Sequence, residues 1–166
     1  MKVRKMLAAL LISTSVFSFS QAAFADNATT SEVTPMAVGV GDTRDQAIAL
    51  LQQSNQFNLF LQSAEDEDWY KWTNNTGHDR FVFAAVWPTG SANNILDLGA
   101  IVQYDETRET NLISGGLTTK GNPSWPSFYQ NLYVPEGATL YLRVKAHEFV
   151  NTEAYEFSFA YYNVIP

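Results

Sequence analysis

Residues 139–162 read TLYLRVKAHEFVNTEAYEFSFAYY, and this stretch decides the fold. In 139–145, Leu140, Leu142 and Val144 fall on one side, and Tyr141, Arg143 and Lys145 on the other. In 154–162, Tyr155, Phe157, Phe159 and Tyr161 share one side. A period of two is that of a half-buried strand, not of a helix. Upstream, Pro135-Glu136-Gly137 is a turn by composition. Residues 127–134 place Phe128, Leu132 and Val134 on one face, and 95–104 do the same for Leu96, Leu98, Ala100 and Val102. The segment 80–87 (RFVFAAVW) is apolar on both faces, as a central strand requires. In WYKWT (69–73), Tyr70 and Trp72 oppose Trp69 and Lys71, and Phe57, Leu59 and Leu61 alternate with Asn58, Phe60 and Gln62. Residues 109–113 read as a short partner strand and 114–126 as a long Gly/Pro-rich loop.

Turn signals recur about every ten residues, which predicts an all-β, antiparallel β-sandwich of about eight strands. One short N-terminal helix is expected before it. Asp42 or Thr43 would cap TRDQAIALLQQ, with Ala47, Ile48, Leu50 and Leu51 as its apolar face.

The N-terminus has a different character. Lys2, Arg4 and Lys5 precede an apolar stretch, and Ala23-Phe24-Ala25 fits the small-x-small cleavage pattern. Residues 1–25 are therefore expected to be a signal peptide, 26–41 a flexible segment and 42–166 the sandwich domain. The apolar run is broken by Ser13, Thr14, Ser15 and Ser18, so it falls short of the about 20 residues of a membrane span. The expected location is extracellular, from a bacterium, with no membrane insertion after cleavage.

The full chain has 166 residues with 10 Lys+Arg and 17 Asp+Glu; without the leader, 7 basic residues face 17 acidic ones, a net charge of −10. Such a balance argues against nucleic acid or anionic lipid as partner. The absence of cysteine excludes a disulfide scaffold, a thiolate metal site and a cysteine nucleophile.

The order of features resembles the bacterial pre-peptidase C-terminal domain family. These features are Gly41-Asp42 before the Ala47 segment, acids running into Trp69-Tyr70-Lys71-Trp72, Leu96-Asp97-Leu98, the Pro-Glu-Gly turn, Tyr141-Leu142-Arg143-Val144, and the closing Tyr155-x-Phe157-x-Phe159. The resemblance spans about residues 40–162. It implies a small jelly-roll-like sandwich serving as a non-catalytic accessory module, linked to secretion, to binding of insoluble protein or polysaccharide, and sometimes to calcium. Asp66, Asp68, Tyr70 and Trp72 match the family's acidic-then-aromatic pattern, and Asp97 its mid-domain acid.

The candidate chemistry is sparse. His78 and His147 are the only histidines, and neither GxSxG nor HExxH is present, so both read as surface residues and no enzyme is expected. A small carboxylate-dependent hydrolase is the remaining catalytic alternative. The run Glu65-Asp66-Glu67-Asp68 offers hard oxygen ligands, with Asp42 and Asp97 as remote contributors, so calcium is a candidate cofactor, although no D-x-D-x-D-G loop is present. The competing reading is a solvated turn whose charges guard the adjacent aromatics. For ligand contact the candidates are Trp125 in a predicted loop, Trp69 and Tyr141 on outward faces, and Trp87 beside Pro88. Tyr141, Arg143 and Lys145 are expected to meet carboxylates across the sheet. Together these point to a secreted binding module for extracellular polysaccharide or protein. The alternative is a structural or interaction protein: a matrix component, exoenzyme partner or inhibitor.

Overall fold

The computed structural model describes residues 41–164. The expected signal peptide and nearly all of the 26–41 segment lie outside the described residues. What is described is all-β: nine strands in two sheets that share one core. They are β1 Ile48–Ala49, β2 Ser54–Phe60, β3 Glu67–Thr73, β4 Arg80–Pro88, β5 Ile95–Gln103, β6 Ile113–Leu117, β7 Ser127–Val134, β8 Thr139–Glu148 and β9 Ala154–Asn163. One sheet runs β1-β3-β8-β5-β6, the other β2-β9-β4-β7. Every pairing is antiparallel except the two-residue β1–β3 ladder.

The alternation in the sequence becomes the interior. Tyr70, Leu98, Leu140, Leu142 and Val144 from the first sheet meet Val82, Val86, Phe157 and Phe159 from the second. Each such side chain contributes about 1.5–3 kcal/mol on burial. The Tyr70 and Phe157 rings stack 4.0 Å apart across the sheets. The central-strand reading of 80–87 holds, since β4 lies between β9 and β7.

Three local expectations are corrected. The N-terminal helix is absent: only a single 3-10 turn forms, Arg44–Gln46, and Thr43 at its start makes no side-chain cap bond. Ile48 and Ala49 instead pair in parallel with Tyr70 and Lys71, and the Leu50 amide continues to the Lys71 carbonyl at 2.8 Å. Leu50 is buried and Leu51 is 88% exposed, so neighbours point apart as in a strand. The expected 114–126 loop is shorter, because β6 occupies its first residues. Phe128 points outward, while its neighbours Ser127 and Tyr129 are buried. A β-bulge causes this: Val82 pairs with Leu132 and Ala84 with Tyr129, so β7 carries one residue more than β4 and its facing inverts.

Candidate functional site

Strand direction gives the sandwich two ends. At the first, β3 and β9 begin and β4 stops, with Pro88 beside Tyr155. Loops 61–66, 89–94, 118–126 and 149–153 gather there. At the second, β3 and β9 finish and β4 begins, beside the turn from β7 to β8.

The first end holds Trp125, which is 61% exposed. Its loop is fastened rather than loose. The Gly121 amide reaches the Ala92 carbonyl at 2.7 Å, and the Asn122 side chain accepts from the Ser124 amide at 3.1 Å. The buried Asn94 ties the next loop: its Oδ1 accepts from the Val150 amide at 2.7 Å and its Nδ2 donates to the Asn151 carbonyl at 2.8 Å. Glu153 accepts from both the amide and the side chain of Asn93 at 2.9 Å. The indole is thus presented by a cross-tied frame.

The other aromatic candidates stand elsewhere. Trp69 and Tyr141 lie half-buried on the outer face of the five-stranded sheet, and Trp87 on the outer face of the four-stranded one. Trp69 donates its indole N–H to Glu67 at 3.1 Å. The Arg44 guanidinium sits 4.1 Å from the Tyr141 ring centroid, held there by Glu109. One stacking face of Tyr141 is therefore already covered. The four aromatics do not form one platform.

Nor do the four acids form one cluster. Asp97 lies on the outer face of β5, where Arg143 approaches at 3.4 Å and Ser114 at 3.2 Å. Glu67 meets Arg143 at 3.5 Å and Lys145 at 3.2 Å on the same face. Arg143 and Lys145 do meet carboxylates across the sheet, whereas Tyr141 meets the Arg44 guanidinium instead. Asp66 accepts from the Gln62 amide at 2.6 Å, closing its own turn. Asp42 is exposed. Among the described residues no three His, Asp or Glu side chains gather closely enough to hold an ion.

Asp68 is the exception in character. Only 6% exposed, it shares the inward parity of Tyr70 and Trp72. The Tyr155 hydroxyl of the opposite sheet donates to its Oδ2, and Tyr155 lies 2.8 Å from the Tyr70 hydroxyl. With Asp68 ionised, its acceptance of the Tyr155 proton fixes the order: Tyr70 donates to Tyr155, which donates to Asp68. Burial pushes the Asp68 carboxyl up to about 6, the Tyr155 bond opposes the shift, and the charges of Asp66 and Asp42 add to it. Burial likewise holds both phenols protonated. Parity could have revealed this acid from sequence, since Asp68, Tyr70 and Trp72 alternate in one strand.

The second end has a neutral hub in a segment, Asn74-Asn75-Thr76-Gly77, whose composition alone reads as a turn. Asn74, fully buried, donates to the His78 carbonyl at 2.9 Å and the Val134 carbonyl at 3.0 Å. Its Oδ1 accepts from the Thr76 hydroxyl at 2.8 Å and the Thr76 amide at 3.3 Å. An open cleft of ≈ 450 Å³ adjoins it, lined by His78, Asp79, Arg80, Tyr133, Asn163 and Val164.

These features define an all-β protein of two packed sheets with differently built ends. No family model matches the chain, and no curated protein matches it. Among solved structures it is similar to the Yersinia pseudotuberculosis-derived mitogen, with a TM-score of 0.47 and 12% identity, covering 70% of this chain and 92% of the mitogen.

Proposed function

We propose that this chain is a secreted, non-catalytic binding module that takes extracellular polysaccharide or protein through the first end of its sandwich. The observation that carries the reading is Trp125, 61% exposed on a loop whose neighbours are tied by backbone and side-chain hydrogen bonds. A large rigid ring presented without an ordering cost is the kind of group that anchors a ligand. The leader-like residues 1–25 support export, and the resemblance to the pre-peptidase C-terminal family supports a jelly-roll-like accessory module. Calcium is not invoked: Asp97 is paired with Arg143 on the outer face of β5, and among the described residues no three acids gather closely enough to hold an ion.

An interaction protein is the second reading, favoured by Ile113, Leu117 and Phe128. All three are exposed where β6 runs beside β7, in the strands flanking the Trp125 loop. The two edges are joined there by the Tyr129 hydroxyl donating to the Ile113 carbonyl at 2.6 Å. Retention on a panel of insoluble glycans and immobilised proteins separates the readings. Wild type is expected to be retained by at least one of them, and Trp125→Ala to lose about tenfold in retention. Equal retention of both would remove the aromatic site. A stable heterocomplex in culture supernatant, measured by size exclusion with light scattering, would favour the second reading.

A further inference from the structure

We propose that the cleft at the second end is a separate site for a neutral glycan, with the Tyr133 ring as stacking platform and Asp79, Arg80 and Asn163 as partners for sugar hydroxyls. The Tyr133 side chain is exposed to 46%. Phe81 buttresses it edge-on at 6.1 Å, and Phe81 is itself backed by Tyr162 at 6.1 Å. A half-exposed aromatic ring braced by a cross-strand neighbour offers apolar surface that a pyranose ring can cover.

The polar groups around it are set in place beforehand. Asp79 accepts the Tyr133 hydroxyl proton through Oδ2 and the Glu136 amide through Oδ1 at 2.9 Å. Each carboxylate oxygen keeps a lone pair for a further donor. Arg80 donates from Nε to the Thr76 hydroxyl at 2.7 Å and from Nη1 to Asn163 Oδ1. Arg80 Nη2 and Asn163 Nδ2 take no partner among the described residues, so both remain as donors. Thr76 is in turn fixed by the buried Asn74. Planar donors and acceptors side by side suit vicinal hydroxyls, each of which both gives and accepts a hydrogen bond.

Charge narrows the ligand class. One carboxylate and one guanidinium stand together, with His78 beside them. The bonds from Tyr133 and the Glu136 amide hold the Asp79 carboxyl below its usual range, so it stays ionised. A fixed carboxylate disfavours phosphate and sulfate, and the guanidinium disfavours a cation. A neutral polyol meets neither penalty. The cleft volume of ≈ 450 Å³ lies within the span of small-ligand sites, about 300–1,000 Å³.

The inference does not depend on Trp125, which lies at the opposite end. It is tested by amide chemical-shift mapping of the full mature chain with cello-, xylo-, malto- and chito-tetraose, and with inorganic phosphate as anion control. At least one neutral oligosaccharide should shift the amides of His78, Asp79, Arg80, Tyr133 and Asn163 saturably, in wild type and in Trp125→Ala alike. Affinity should fall about tenfold in Tyr133→Ala and in Asp79→Asn. If all four sugars leave these amides unmoved in wild type at millimolar concentration, or only phosphate moves them, the site is overturned. Shifts confined to 118–126 would overturn it too while leaving the Trp125 reading intact. A folded Tyr133→Ala with unchanged affinity removes the stacking role.

Discussion

The two ends of the sandwich solve one problem with different chemistry. Both must seal loops over an aromatic core without orphaning backbone groups. The second end uses Asn74, an amide that gives and takes hydrogen bonds at any pH. The first end uses Asp68, an acid placed inside the sandwich and bridged by Tyr155 to Tyr70. The amide fastens one end permanently. The acid makes the other responsive to protons, because its charged form must be held away from water beside two further carboxylates. The exposed Trp125 sits at this proton-sensitive end.

The largest expected effect comes from breaking the neutral hub. Asn74→Ala removes four hydrogen bonds, one of them to the carbonyl of the buried Val134, and should cost about 4 kcal/mol of unfolding free energy. The loss should be the same at pH 5 and pH 8 in urea titrations. A strongly pH-dependent loss would dissolve the contrast between the ends.

Next in size is Asp68→Asn. The folded carboxyl sits at about 6 against 3.8 for the free group, so the native state holds this proton more tightly than the unfolded chain does. The associated stability is fully present below 3.8 and is lost as pH rises to 6. In wild type that loss is about 2–3 kcal/mol, and the asparagine variant lacks it. The difference in stability between variant and wild type should therefore shift in favour of the variant across this window. A flat difference would show that Asp68 titrates normally.

Smaller is the seam between the sheets. The Tyr129 hydroxyl donates toward the Leu98 carbonyl at 3.0 Å and the Ile113 carbonyl at 2.6 Å. Tyr129→Phe should cost about 1–2 kcal/mol in denaturant unfolding. Smallest is Trp125→Ala, expected to change stability by less than about 0.5 kcal/mol because the ring is largely in water. A larger loss on thermal melting would mean that the indole plugs the sandwich rather than awaiting a ligand.

What the sequence made legible follows from phase. In β3, β5, β8 and β9 the apolar residues that the alternation places inward are buried, apart from Tyr161, which is only partly so. Phase fails where it is short or broken. Residues 47–51 are too few to separate a period of 3.6 from one of two, and pairing with β3 overrode their helix propensity. In β7 the bulge shifts the count by one, so Phe128 and Tyr129 exchange sides, and no local signal announces a bulge. The candidate site was legible only in part. Loop composition marked Trp125, and the basic stripe was rightly matched to carboxylates across the sheet. The Arg44 cover on Tyr141 joins residues 97 positions apart through tertiary packing, which periodicity does not carry. The Asn74 hub was hidden because a turn asparagine and a buried one look alike in sequence.

Side-chain carboxyl carbon shifts, followed by NMR from pH 3 to pH 8, address the difference between the ends most directly. The Asp68 resonance should titrate with a midpoint about 6. A midpoint near 3.8, the value of the free group, would contradict a buried acid joining the two sheets.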